Sequence, residues 1–466
     1  MKRGDIVELE ISSPAFEGSA VGRIDNLVVF VPYAVPGDRI RARITKKKRK
    51  FAEAVIEEIL EHSGDRTDPR CRHFGTCGGC TLQNARYEKQ LEYKQLQVTA
   101  LMERIGGFKG IKVEPVLASR QQFEYRNKME FTFGASRWLT SEEIASGKKF
   151  SRDFALGLHV PKRFDRILDL TECHLQDQVS MKILDICRNT AVTREWLPYN
   201  VVDHTGYLRN LIIRRGINTG DLMVNLVTTA RDPEKIEFLC KELLDNVPSI
   251  TTILNCINSG PNPTAMEEEI ILHGDGMLSD RIEDTTYRIS PFSFFQPNTS
   301  QAEILFSTIR DAALLEETET LYDLYCGLGT ISLYLSGMVK KVIGVETHSR
   351  SVELARQNAE INNAGNCIFY DMDVLNALED DFIAENGKPD IVILDPPRAG
   401  LHSKAVSGLL KTAPKRIVYT SCNPATQARD LNLLGESYDL VSVQPVDMFP
   451  QTWHIESVAT LHRRKV

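Results

Sequence analysis

The order of apolar and polar positions divides the chain into three stretches of different rhythm. In the first, short segments alternate: Ile40, Ala42 and Ile44 against Arg39, Arg41 and Arg43, so one face packs inward while the arginines point outward. Strands are expected at 7–11, 19–24, 27–31, 39–45 and 52–59, with turn residues between them. Short strands of this kind build a small barrel of the oligonucleotide-binding type. A polar helical stretch runs from Tyr87 to about Ile105, and 111 to about 290 then reads mostly as strands. There Phe123, Tyr125, Met129, Phe131 and Phe133 fall on odd positions and Leu222 to Thr228 is β-rich, so a central α+β domain is expected. From about 300 the pattern becomes an alternation of strands and helices, with segments at 321–325, 332–335, 342–345, 351–362, 391–394 and 416–420. Such alternation implies a parallel, doubly wound sheet. The expected fold is multidomain: an OB-like β-barrel over 1–62, a central α+β domain over 63–295 and an α/β Rossmann-like domain over 296–466.

Composition narrows the class. A chain of 466 residues, 42% hydrophobic and 26% charged, exceeds what one hydrophobic core supports. No run of eighteen apolar residues occurs, and Met1-Lys2-Arg3-Gly4-Asp5-Ile6 lacks the apolar stretch of a secretory signal, so a soluble, cytoplasmic protein without a membrane partner is expected; a monomer is the accompanying expectation. The ten cysteines scatter along the chain and do not resemble a secreted disulfide framework. The net charge of −7 speaks weakly against a nucleic-acid partner. Distribution can override that total: residues 39–50 carry eight Lys or Arg in twelve positions with no acid, which is expected to concentrate positive potential on one strand and its turn. The plainer reading is a charge-protected edge strand.

Candidate chemistry begins at Asp323-Leu324-Tyr325-Cys326-Gly327-Leu328-Gly329-Thr330, where a strand runs into a glycine loop and a helix-like segment. Glycines there let the backbone approach a ligand closely. Glu346 closes the next strand, where a carboxylate can accept hydrogen bonds from ribose hydroxyls, and Asp373 follows the third strand, near an adenine edge. A nicotinamide enzyme would share these features, but the third glycine of the dinucleotide fingerprint is missing, which favours S-adenosylmethionine. Farther on, Asp395-Pro396-Pro397-Arg398 follows an apolar strand and resembles the fourth motif of nucleic-acid methyltransferases. Adenine amino-methylating enzymes usually continue with an aromatic, and enzymes methylating carbon 5 of cytosine in RNA place a cysteine beside the prolines; this chain has neither. Instead Cys422 closes the following strand in Ser421-Cys422-Asn423-Pro424. Carbon 5 of uracil is too poor a nucleophile to take a methyl group unaided, and a thiolate adding at carbon 6 makes it an enolate. The adduct then needs a base to take the carbon 5 proton, and His454 and Glu456 are equally eligible by spacing. A lone cysteine after a strand is ordinarily packing, which is the reading for Cys187, Cys240, Cys256, Cys326 and Cys367; the neighbours of Cys422 reverse it there.

Together, the Asp323 loop, Asp395-Pro396-Pro397-Arg398-Ala399-Gly400-Leu401, Ser421-Cys422-Asn423-Pro424-Ala425-Thr426 and His454-Ile455-Glu456 resemble the signature set of the RNA uracil-5-methyltransferases acting on transfer and ribosomal RNA. The resemblance spans the chain. It implies that the barrel is an RNA-binding TRAM domain, that Cys422 is the nucleophile and Glu456 the base, and that Gln296, Tyr325, Glu346 and Asp395 contact the cofactor, with Thr330 following the glycine loop; Asp373 joins the cofactor set by its position after the third strand. Some relatives carry asparagine where Thr330 stands. Cys71, Cys77, Cys80 and Cys173 suit zinc or an iron–sulfur cluster by their thiolate count, and the resemblance favours a 4Fe-4S cluster as in the ribosomal-RNA branch. The implied substrate is a uridine of 23S ribosomal RNA. Transfer RNA, cytosine-5 methylation and a non-catalytic RNA-binding protein are the alternatives.

Overall fold

The computed structural model describes residues 1–262 and 266–465. Strands β1 (Ile6–Pro14), β2 (Ser19–Ile24), β3 (Leu27–Pro32), β4 (Arg39–Lys47) and β5 (Phe51–Glu61) close into a barrel in the order β1-β2-β3-β5-β4. Its interior is lined by Leu9, Ile11, Val29, Val31, Ile40 and Ile44, with Ala20, Ala42, Ala52 and Ala54 filling the narrow places. The arginines of β4 point outward as the alternation requires, but the strand lies between β1 and β5, whose outer faces are acidic. Arg39 pairs with Glu61 (2.8 Å) and Glu8 (3.4 Å), Arg41 with Glu58 (2.5 Å) and Glu8 (3.2 Å), Arg43 with Glu57 (2.5 Å) and Lys46 with Glu53 (2.8 Å). The expected concentration of positive potential on β4 is therefore corrected. Cross-strand carboxylates neutralise its outer face, and the cations without a carboxylate partner among the described residues are Lys47 to Lys50 at the turn.

Compactness cuts the chain differently from three consecutive domains. One unit comprises residues 1–68, 81–122 and 300–466, and the other residues 69–80 and 123–299. Helix α1 (Tyr87–Arg104), expected in the central domain, thus belongs with the barrel and the C-terminal sheet. Its Lys94 ammonium lies 2.6 Å from Asp447, both side chains almost fully buried, and the Tyr87 hydroxyl donates to the same carboxylate at 2.9 Å. Removing one partner of such a buried pair costs about 3–5 kcal/mol, so this contact anchors the helix to the far end of the chain.

The second unit is built on one eight-stranded sheet. It contains β6 (Lys128–Gly134), β7 (Arg137–Trp138), β8 (Ala155–His159), β9 (Ile167–Asp169), β10 (Leu208–Arg215), β11 (Leu222–Thr228), β12 (Thr252–Ile257) and β13 (Glu268–His273), in the order β13-β12-β11-β10-β6-β8-β9-β7. A hairpin of β14 (Leu278–Ile282) and β15 (Thr285–Ile289) follows. Met129, Phe131 and Phe133 face the core, as their odd spacing demands. Three helices join the strands: α2 (Ser141–Ala145), α3 (Gln178–Thr193) and α4 (Pro233–Asn246). The mostly stranded pattern expected for this stretch does not announce α3 or α4. Helix α4 has Pro233 in its first turn and an Asp232 side chain accepting from the Lys235 N–H (3.2 Å), and it carries the chain between parallel β11 and β12.

The rest of the first unit is the expected α/β domain, introduced by α5 (Thr299–Ala313). Strands β16 (Thr320–Leu324), β17 (Lys341–Glu346), β18 (Cys367–Asp371), β19 (Ile391–Leu394) and β20 (Arg416–Ser421) are parallel, linked by α6 (Thr330–Leu335), α7 (Ser349–Ile361), α8 (Val374–Ala377), α9 (Asp380–Asn386) and α10 (Ser403–Thr412). After α11 (Pro424–Leu434) the chain adds β21 (Tyr438–Val446) and β22 (Glu456–Arg463), giving the order β18-β17-β16-β19-β20-β22-β21. β22 runs antiparallel to both its neighbours, a departure from the purely parallel sheet expected. No helix among the described residues is long and apolar enough to cross a membrane.

Candidate functional site

In a parallel sheet the carboxyl ends of the strands form the ligand-binding edge. Here β16 ends in a loop that turns through positive φ at Tyr325 (70°), Gly327 (56°) and Gly329 (82°). For Tyr325 that conformation costs about 1–3 kcal/mol, and it is held by the Tyr325 and Cys326 N–H groups, which both donate to the Val345 carbonyl at 2.9 and 3.1 Å. A Cβ on Gly327 would meet nothing within 4 Å, so the loop backbone is open to a ligand, whereas one on Gly329 would come to 3.0 Å of the Phe369 ring. Thr330 opens α6 directly behind the loop. Glu346, at the end of β17, accepts from the N–H groups of Gly327 (3.2 Å), Thr347 (2.7 Å) and His348 (2.9 Å). Asp373 is exposed and caps α8 by accepting from the Leu375 N–H at 2.8 Å. Burial, with the charges of Asp373, Asp430 and Glu346, pushes the Tyr325 hydroxyl up to about 12, which places this ring among the carboxylates. Asp323, which opens the glycine motif, is 1% exposed and pushed up to about 6 by burial, against a 2.6 Å hydrogen bond from the Ser332 hydroxyl.

Five of the six residues expected to serve the cofactor thus lie at one edge of this sheet. An open glycine loop with flanking carboxylates fits a ligand rich in donors, as the ribose and amine of S-adenosylmethionine are. The sixth residue, Gln296, belongs to the second unit, 5% exposed. Its backbone carbonyl accepts from the Asn127 side chain at 2.8 Å, and its buried side-chain oxygen has no hydrogen-bond partner.

The candidate reacting residues meet two strands away from the glycine loop. The last paired residues of β20 and β22 are Ser421 and Ser457, so Cys422 and Glu456 are the next residues facing each other across the two strands. The Asp395 turn, at the end of β19, is clipped to the Cys422 loop: the Arg398 carbonyl accepts from Asn423 Nδ2 (3.0 Å) and Thr426 Oγ1 (3.2 Å). Burial pushes the Cys422 thiol up to about 11; Glu456 and Asp395 add to this, while the Arg398 guanidinium opposes it. Glu456, 5% exposed, is held well above the carboxylate range by burial and by Asp395, with Arg398 again opposing. Asp395 itself is pushed up to about 7 by burial and by Asp323. Burial and mutual repulsion therefore raise the proton affinity of the acids around one thiol, with Arg398 as the cation in their field. His454, equally eligible by spacing, is placed differently: its ring lies 3.3 Å from an Arg398 nitrogen and 4.0 Å from the Trp453 ring, and Trp453 in turn meets Phe16 of the barrel at 5.0 Å.

The four candidate metal ligands all fall in the second unit. The loop carrying Cys71, Cys77 and Cys80 is stitched to the Cys173 segment by the Arg72 N–H on Glu172 (2.7 Å) and by His73 Nε2 with the Thr171 hydroxyl (3.1 Å) and N–H (3.2 Å). Burial pushes Cys71 up to about 11 and Cys77 up to about 12, and Cys173 adds repulsion to both. Backbone N–H groups turn toward the sulfurs: His73 and Phe74 toward Cys71, Gly79 toward Cys77, Leu175 and Gln176 toward Cys173. Among the described residues, however, no group of three or more His, Cys, Asp or Glu is gathered as a metal site. The donor set fits a thiolate-bound group in its chemistry, but closed ligand geometry is not present.

A doubly wound sheet with an open glycine loop, acidic strand ends and an Asp-Pro-Pro turn clipped to a cysteine loop fits the class of S-adenosylmethionine-dependent methyltransferases. Comparison narrows the class. The tRNA (uracil-5-)-methyltransferase family profile matches residues 265–464 and the TRAM domain profile matches residues 1–56. An RNA methyltransferase of Bacteroides thetaiotaomicron is 42% identical over 97% of this chain and all of its own length. Another, of Chlorobaculum tepidum, is 42% identical over 99% of this chain and 97% of its own. The crystal structure of the Pyrococcus abyssi tRNA (uracil-54, C5)-methyltransferase with S-adenosyl-L-homocysteine superposes with a TM-score of 0.74 at 29% identity, covering 97% of this chain and 99% of that one. The chain belongs to the RNA uracil-5-methyltransferase family and is an S-adenosylmethionine-dependent enzyme acting on RNA.

Proposed function

We propose that the enzyme methylates carbon 5 of a uridine in 23S ribosomal RNA through a covalent adduct on Cys422. The observation that carries this reading is the pairing of β20 with β22, which sets Cys422 opposite Glu456, with the Arg398 charge lowering the thiol. S-adenosylmethionine supplies an electrophilic methyl group when bound, with Gln296, Tyr325, Thr330, Glu346, Asp373 and Asp395 as the residues that hold it. Cys422 gives its proton to solvent as Arg398 stabilises the thiolate, and the sulfur adds to carbon 6 of a uridine drawn out of its stack. Asp395 and Arg398 orient the ring and its developing enolate charge. Once carbon 5 carries both hydrogen and methyl, Glu456 takes the hydrogen as a proton, the carbon 5–carbon 6 double bond re-forms and the Cys422 thiolate leaves. A carboxylate whose proton affinity is raised by burial is the stronger base when ionised, which suits removal of a proton from carbon.

The proposal includes a 4Fe-4S cluster held by Cys71, Cys77, Cys80 and Cys173. Methyl transfer consumes no electrons, so its role would be to tie the loop to the Cys173 segment. The N–H groups aimed at the sulfurs favour thiolates there, as in iron–sulfur sites. Purified protein should show visible absorbance and about four irons per chain; colourless protein containing zinc would remove this part.

The resemblance of the four cysteines to the ribosomal-RNA branch supports ribosomal RNA as the target, while the barrel fits either RNA. The Pyrococcus abyssi neighbour, a transfer-RNA methyltransferase, supports transfer RNA as the second reading. Mass mapping of 5-methyluridine after incubation with 23S ribosomal RNA and with transfer RNA decides between them, and 5-methylcytidine in either product would overturn both.

A further inference from the structure

A cavity of about 510 Å³ in the second unit is bordered by Arg126, Lys128 and Arg214, by Phe294, and by Gly78 and Gly79 of the cysteine loop. Lys128 on β6 and Arg214 on β10 are direct cross-strand partners, an arrangement of like charges that opposes folding unless something answers it. Arg214 is 3% exposed; one of its terminal nitrogens donates to the Ser293 carbonyl, and its Nε has no hydrogen-bond partner. Arg126 Nε is likewise buried without one. Among the described residues lining the cavity, Glu130 is the one carboxylate set against three cations, and it is exposed. Burial and the neighbouring Arg214 lower Lys128 to about 8, with Glu130 opposing them.

We infer that this cavity is a subsite for one phosphodiester of the RNA and for an unstacked base beside it, distinct from the uridine that reacts. Two guanidinium groups beside an ammonium, set against one exposed carboxylate, suit a phosphate. Phe294 is 68% exposed although the adjacent Phe295 is buried, which leaves its ring available for stacking on a base. An acidic peptide would answer the cations but gives no use to that ring. The glycine wall also involves the cysteine loop in binding, since a Cβ on Gly78 would lie 3.2 Å from the His159 carbonyl and the loop therefore closes tightly over the cavity.

The inference rests on the enzyme acting on RNA, and its test separates the two. Full-length Lys128→Met and Phe294→Ala variants are compared with wild type by fluorescence anisotropy on an RNA transcript that wild type converts to 5-methyluridine. Lys128→Met should bind about tenfold more weakly, with the salt dependence reduced by about one charge. Phe294→Ala should also lose about tenfold, with the salt dependence unchanged. Turnover at saturating RNA and S-adenosylhomocysteine binding should stay within about twofold of wild type. Equal RNA affinity and equal salt slope in both variants would overturn the subsite while leaving the methylation reading in place. So would lost binding of inorganic phosphate with RNA affinity intact. A wild type that makes no 5-methyluridine would instead count against the methylation reading. Should Lys128→Met melt early, Phe294→Ala on the surface decides.

Discussion

The cysteines of the two units are unlike in the company they keep. Cys422 and the Cys71 and Cys77 thiols are all raised, to about 11, 11 and 12, and burial is the largest cause each time. What opposes burial differs. Around Cys422 it is one guanidinium, Arg398, with two carboxyls working the other way, so the thiolate is costly at rest and available on demand. Around the second set it is mainly backbone N–H groups of the loop, with Arg126 beside Cys173, an environment that suits ligands better than nucleophiles. A raised thiol therefore says little about role until the group that lowers it is identified.

Breaking the first environment should have the largest effect. Cys422→Ala is expected to lower methylation by at least about 10³-fold while S-adenosylhomocysteine binding stays unchanged. Glu456→Gln should cost about 10²–10⁴-fold and, unlike Cys422→Ala, should accumulate methylated RNA joined to protein on a denaturing gel. The pH profile sharpens the contrast. Because Cys422 ionises only near 11, the thiolate fraction grows about tenfold per unit across neutral pH, so kcat/KM should climb from pH 7 to 9. Arg398→Gln removes the group that lowers the thiol and should reduce kcat/KM about tenfold at pH 8, with partial recovery at higher pH; an unchanged profile would show that Arg398 does not act on the sulfur. Cys77→Ser should abolish visible absorbance yet change kcat only about threefold, since methyl transfer uses no electrons. The smallest effect belongs to the barrel. Replacing Arg39, Arg41 and Arg43 together by Ser should weaken RNA binding only about twofold, because these cations are already paired.

Much of this is legible in the sequence where the information is local. The barrel strands follow from alternation at Ile40, Ala42 and Ile44, and the glycine loop, the Asp395 turn and the Cys422 loop are each contiguous segments at a strand end. What depends on pairing is not legible. The carboxylates that neutralise β4 come from Glu8, Glu53, Glu57, Glu58 and Glu61, outside the basic run itself. The cross-strand approach of Lys128 and Arg214 joins residues far apart in sequence, with no motif around either. The choice between His454 and Glu456 depends on β22, whose antiparallel pairing with β20 no local pattern announces. Helices α3 and α4 are hidden because β-branched and aromatic runs nearby dominate the pattern.

The decisive measurement is incubation of wild-type enzyme and S-adenosylmethionine with target RNA carrying 5-fluorouridine at the methylated position. Fluorine cannot leave as a proton, so attack by Cys422 and methyl transfer should leave a stable methylated RNA–protein adduct, which peptide mapping locates on Cys422 and which Cys422→Ala fails to form. Absence of the adduct on RNA that wild type methylates efficiently in its unfluorinated form, or an adduct on another residue, would contradict covalent catalysis by Cys422.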